Sequence, residues 1–218
     1  KDNMQIITPV TFTTGMLVSS NVSEAYPAWV SGTNYSTGNI VWYTDGIYQA
    51  LVNRTGTTAP STDLTHWLKL APSNHYACFD RQSGNATTAT TNMTFTVNAG
   101  NFDSIALIGM IGADTINITV RSGLGGAILW QKDMNLNALN ILSWLDYFTI
   151  DREIKMTQYL FTDIPANSNA HITFTVTGPS LELGEFVFGA RKVLGKTQYG
   201  AKAGIVDYSR KVTDDFGT

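Results

Sequence analysis

Charge is scarce in this chain of 218 residues, of which only 14% are Asp, Glu, Lys or Arg. Thr, Asn, Ser and Gly fill the deficit. That excludes a helical bundle, whose faces need Glu, Lys, Ala and Leu. It suits β-strands with uncharged outer faces joined by turn-rich loops. Basic clusters are missing as well. The net charge is −3, and Lys and Arg cluster only towards the C-terminal end, so the electrostatic footprint of a nucleic-acid surface is absent. The single cysteine, Cys78, can close no internal disulfide. Inside the apolar run Tyr76-Ala77-Cys78-Phe79 it reads as a small buried side chain. No apolar run approaches the ~20 residues of a membrane helix, so no membrane insertion is expected.

Catalytic and metal patterns are equally thin. His66, His75 and His171 stand apart, without Asp, Glu or Cys at ligand spacing. No metal and no cofactor is expected. There is no Gly-x-Ser-x-Gly, and in an extended linker His75 and Cys78 would point to opposite faces. Glycoside hydrolysis needs two carboxylates across a sugar. The candidates Asp146, Asp151, Glu153, Glu182 and Glu185 are scattered and read as surface groups. Gly123-Leu-Gly-Gly126 lacks the Lys-Ser/Thr ending of a phosphate loop. The expectation is a protein that is not an enzyme. Sequons at Asn21, Asn34, Asn53, Asn85, Asn92 and Asn117 follow from the wealth of Asn and Thr, and Asn117 falls inside an alternating strand.

What is present is strand pattern and aromatics. Residues 1–25 read as an extended arm; Gln5 to Thr14 is β-branched and interrupted by Pro9, which demotes it to an edge. Such an arm is ordered only against a partner or the neighbouring domain. Residues 26–70 hold three of the five tryptophans, Trp29, Trp42 and Trp67. Asn39–Tyr43 and Ile47–Val52 alternate around Thr44-Asp45-Gly46, a strong hairpin signal. One face carries Val41, Tyr43, Tyr48 and Ala50; the other carries Ile40, Trp42, Ile47, Gln49 and Leu51. So small a module must build its core from a few large aromatics. Residues 71–80 form a linker. Beyond it, runs such as Met93–Val97, Phe102–Met110, Thr115–Arg121, Ala127–Gln131, His171–Thr177 and Glu185–Ala190 alternate with Gly-rich turns. That spacing predicts an antiparallel β-sandwich, jelly-roll-like, over 71–190. Leu136 to Trp144 has room for a short helical turn. The class is all-β.

The pattern Ala28-Trp29, Tyr35, Gly38, Val41-x-Tyr43, Gly46, Tyr48-x-Ala50, Pro60 and Trp67 resembles the small chitin-binding modules of carbohydrate-binding families five and twelve. The resemblance covers about a fifth of the chain. It implies a three-stranded fold whose first Trp, hairpin Val and Tyr, and closing Trp are mostly core. It also implies a sugar held by aromatics just after the Tyr-x-Ala step. Here that step is followed by Leu51-Val52-Asn53. Trp42 is the one aromatic on the non-core face, free to stack on a sugar or to dock on the next domain. Trp42, with Tyr35 and Trp67, is the candidate carbohydrate-binding set.

Residues 191–218 change character, with six Lys and Arg and several aromatics. They read as an extended segment that meets a partner. Tyr199, Asp207, Tyr208, Arg210, Lys211 and Phe216 are its candidate interface residues, because aromatics and Arg concentrate at interface centres. The succession of arm, module, sandwich and Asp207-Tyr-Ser-Arg-Lys211 resembles a group of tailed-bacteriophage virion proteins. In that group the chain continues past this run, so a continuation beyond Thr218 is expected, and the start Lys1-Asp2-Asn3-Met4 is not a natural one, so the sequence is expected to be part of a longer chain. The resemblance implies a non-enzymatic structural component of a phage tail, located in the virion, a homo-oligomer that also meets other virion proteins. The alternative is a glycan-binding module that recognises a bacterial surface sugar during adsorption.

Overall fold

The computed structural model describes residues 4–82, 84–136, 144, 148 and 157–195. The interface candidates Tyr199, Asp207, Tyr208, Arg210, Lys211 and Phe216 lie outside the described residues, as does most of the segment given room for a helical turn. Two compact units are present, residues 1–6 with 192–218, and residues 7–191. In the first, the described parts are strand. The second holds everything that follows except Met4–Ile6 and Lys192–Gly195, the outer ends of the first and last strands.

The strands are β1 (Met4–Pro9), β2 (Leu17–Ser20), β3 (Thr33–Tyr35), β4 (Ile40–Tyr43), β5 (Gly46–Ala50), β6 (Arg54–Gly56), β7 (Trp67–Pro72) and β8 (Thr87–Ala89). After them come β9 (Asn92–Asn98), β10 (Ser104–Ile111), β11 (Thr115–Ser122), β12 (Ile128–Asn135), β13 (Gln158–Phe161), β14 (Ala170–Thr177) and β15 (Leu181–Gly195). The protein is all-β, as its composition implies. One sheet runs β1-β15-β10-β13, with β8 also on β15; the other runs β12-β11-β14-β9-β2. Without β1 and β2, the order is β8-β15-β10-β13 in one sheet and β9-β14-β11-β12 in the other. Strands β8 to β15 wind between the two sheets in the manner of a jelly roll.

Alternation drives this arrangement. In β9 (Asn92–Asn98), Met93, Phe95 and Val97 are buried and the residues between them are not. Their inward partners are Val176, Phe174 and Ile172 of β14. Ile105 and Leu107 of β10 and Phe186 and Phe188 of β15 close the core from the other sheet. The ring of Phe174 meets that of Phe186 across the sandwich at 5.2 Å. Phe79 sits edge-on to both Phe95 and Phe186, at 5.5 and 5.6 Å.

The outer face of the second sheet explains the low charge. Thr94 and Thr175, Thr96 and Thr173, and Thr115 and Thr177 face each other across neighbouring strands with hydroxyls 3.2, 3.5 and 2.5 Å apart. Paired hydroxyls satisfy one another on a half-exposed strand face without any ion pair.

The N-terminal segment is woven into the sandwich. β1 lies at an edge beside β15, where Pro9 costs no ladder bond. β2 pairs β9 through Leu17↔Val97 and Ser20↔Phe95. The irregular register of β2 accounts for its weak sequence pattern. The same is true of β8 and β13, too short at three and four residues to show a period.

Gly112, at φ +74, sits where a Cβ would strike the Pro179 carbonyl and lie 2.6 Å from that of Ser180. Gly125, at φ +73, has open space around it. Both substitutions by Ala carry the left-handed backbone cost of roughly 1–2 kcal/mol. Gly112→Ala is expected to cost more, because backbone must also move. Urea denaturation of the two variants measures the difference.

Candidate functional site

The module occupies the interval between β2 and β8 and has a core of its own. Tyr35, Val41, Tyr48, Ala50 and Trp67 are buried together, with Trp29 and Tyr43 packed against them. The sheet order is β4-β5-β7, with β3 and β6 forming a two-stranded ribbon beside it. Val41 faces Tyr48 and Trp42 faces Ile47, the side assignment that alternation predicts. The hairpin loop differs from the expected Asp-Gly turn. Tyr43 pairs Gly46, so the two loop residues are Thr44 and Asp45, and Thr44 takes the left-handed conformation at φ +47. Gly46 is needed for space instead: a Cβ there would lie 2.8 Å from the Tyr48 ring.

Aromatic packing accounts for the spacing of large residues in the module. The Tyr35 ring meets Trp67 edge-on at 5.1 Å, and Trp29 meets Tyr43 in the same way at 5.2 Å. The Tyr35 hydroxyl accepts from the Val30 amide at 2.8 Å and donates to its carbonyl at 3.1 Å. Asp63, held by Arg54, His66 and Thr65, ties the loop before β7 to β6. The hydrogen bond from His66 is the chief reason its carboxyl lies below the ordinary aspartate range.

Of the three sugar-contacting candidates, two are core. Trp67 is 1% and Tyr35 8% exposed, so neither presents a ring face to a ligand; their volume is what so small a core requires. Trp42 alone stands on the outer face, and there it stacks on His75 with ring centres 5.5 Å apart and planes 29° from parallel. After the Tyr-x-Ala step, Leu51 and Val52 are 43% and 41% exposed. Aliphatic side chains are displayed where the resemblance places aromatics.

His75 belongs to a junction that sequence spacing did not reveal. Its ring nitrogen Nδ1 is bonded to Glu24, a carboxylate whose side chain is 3% exposed. Glu24 also accepts from the Asn74 and His75 amides at 2.9 and 3.0 Å. Burial acts to raise the Glu24 pKa, but the bonds from the His75 ring and the two amides outweigh it and hold the carboxyl below its ordinary range. The linker is therefore a cap on Glu24 and not an extended strand. Asn74 extends the junction: its side chain donates to the Ser23 and Thr88 carbonyls at 2.8 Å each and accepts from the Thr88 amide. Cys78, one turn further, is fully enclosed and its thiol is pushed up to about 12 by burial. It has no part in nucleophilic chemistry with His75. His171 is buried in β14 beside the Asn169 carbonyl. Among the described residues no group of three His, Cys, Asp or Glu is placed to hold a metal.

Two grooves flank the junction. The larger, of about 640 Å³, is lined by Glu24, Ile47, Asn74, Asn85, Thr88 and Glu182 among others. The smaller, of about 480 Å³, lies between Phe12, Lys69, Tyr76 and Gln82. Of the scattered carboxylates weighed for hydrolysis, Glu182 lines the larger groove, and its neighbour there, Glu24, is already committed to three donors.

No family model and no curated protein matches the chain. Among solved structures, the chain is similar to the enzymatically active domain of tailspike protein 4 of bacteriophage CBA120. The match has a TM-score of 0.28 and 12% identity, and covers 79% of this chain. It spans 19% of the tailspike chain.

The two tryptophans separate module folding from junction packing. Trp67→Ala is expected to cost ~3–5 kcal/mol and to unfold the module, whereas Trp42→Ala leaves the module core intact. Near-ultraviolet circular dichroism of each variant distinguishes these outcomes. Glu24 carries an acid dependence of known sign. Its folded pKa is below its unfolded value near 4.5, so its contribution is complete above that pH and is lost as pH falls through the lower folded value. Glu24→Gln should remove that part of the acid sensitivity in denaturation curves taken from pH 6 to about 3.

Proposed function

We propose that this protein is a non-enzymatic structural component of a bacteriophage tail, located in the virion, which assembles with copies of itself and with other virion proteins. The observation that carries the non-binding role is the commitment of Trp42. The one aromatic on the outer face of the module is stacked on His75, and Leu51 and Val52 are displayed where the resemblance places sugar-binding aromatics. A stable small fold is thereby used as a spacer and not as a receptor, since fold and function are separable. The phage assignment rests on the succession of arm, module, sandwich and Asp207-Tyr-Ser-Arg-Lys211. The non-enzymatic reading is supported at the larger groove by Glu24, whose carboxylate already accepts three hydrogen bonds from the chain's own donors.

A second reading, recognition of a bacterial surface glycan, is favoured by the larger groove, whose Asn85, Thr88, Thr90 and Ser180 offer uncharged polar groups suited to sugar hydroxyls. Immunogold labelling of intact phage particles with antibody against residues 26–70 tests the two together. Label at a fixed tail position with infectivity retained is expected. Distal label with blocked adsorption, together with glycan-array binding lost in Thr88→Ala, would replace the structural reading with the glycan one.

A further inference from the structure

We propose that the module is hinged on the jelly roll and that Glu24 is the latch that fixes its position. Three observations meet at this point. The two cores are separate: none of the residues buried with Trp67 belongs to the cluster that contains Phe95, Phe174 and Phe186. The chain crosses between them twice, at Val22–Tyr26 on the way in and at Ser73–Ala77 on the way out, and the crossings lie side by side. Among the described residues, no hydrogen bond, ion pair or ring contact joins residues 26–72 directly to the jelly roll. Every such link runs through the crossings. Ser73 is bonded to the Thr44 and Asp45 carbonyls on the module side, and the Tyr76 hydroxyl donates to the Thr14 carbonyl on the other.

Grooves of about 640 and 480 Å³ lie on either side of the crossings, each lined by residues of both bodies. Two packed bodies joined by short crossings, with space beside them, are the geometry of a hinge. What holds this hinge is the Glu24 carboxylate. It binds the outgoing crossing through the Asn74 and His75 amides and the His75 ring, while Asn74 returns a bond to Ser23. The His75 ring in turn is the seat on which Trp42 rests. Removal of the carboxylate releases the Asn74 and His75 amides and the His75 ring together, and leaves the Asn74–Ser23 bond as the link between the crossings.

Spin labels at Thr57→Cys in the module and Ser168→Cys in the jelly roll, both exposed positions, report the distance between the bodies. Cys78 is buried and stays unlabelled. Double electron–electron resonance should give one narrow distance in the parent. Glu24→Ala should lose that single peak to a broad distribution. His75→Ala, which removes the Trp42 seat at a half-buried position and leaves both cores untouched, should broaden it too. It decides the question if Glu24→Ala fails to fold. A narrow, unshifted peak in His75→Ala and in any folded Glu24→Ala protein would overturn the latch. So would a broad distribution in the parent.

Discussion

A carboxylate withdrawn from water is costly unless other donors replace its hydration. Glu24 meets that condition with donors that come from one short stretch, the amides of Asn74 and His75 and the ring of His75. Its demand for three donors shapes the linker, because only a tight turn presents two successive amides to one carboxylate. The turn then delivers Cys78 and Phe79 into the jelly-roll core, where Phe79 packs against rings from both sheets. One buried charge thus relates the start of the module, its end and the first turn of the sandwich.

The module is held together by a few large side chains. Its core depends on the fit of large rings: Trp67 against Tyr35, and Tyr35 against a backbone that comes so close at Gly56 that a Cβ would lie 2.9 Å from the Tyr35 ring. None of those contacts requires an aromatic at Leu51 or Val52. Surface positions of a small fold are free to change without loss of stability, and here they display aliphatic side chains.

The jelly roll makes a different use of uncharged residues. Its inner faces interlock through Phe, Ile and Val, whereas the outer face of the β9-containing sheet is dressed with threonines whose hydroxyls pair across strands. β-branched side chains favour the pleated backbone, and mutual hydroxyl pairing removes the need for ion pairs. The scarcity of charge in the composition follows from this face.

By itself the sequence determined the class and the long strands. β9, β11 and β14, of seven or eight residues, carry enough alternation to be read directly. It also determined the hairpin faces of the module, because Val41, Tyr48 and Ala50 share a period of two. Tertiary structure alone decided the strand partners, since pairing is a matter of long-range register that no local period encodes. It also decided β2, β8 and β13, which are too short or irregular to show a pattern. The junction was hidden for the same reason: Glu24 and His75 are separated by 51 positions, and a lone Glu and a lone His carry no spacing signal. What brings them together is the closure of an entire module between them, and the bond they form exists only once that module has folded.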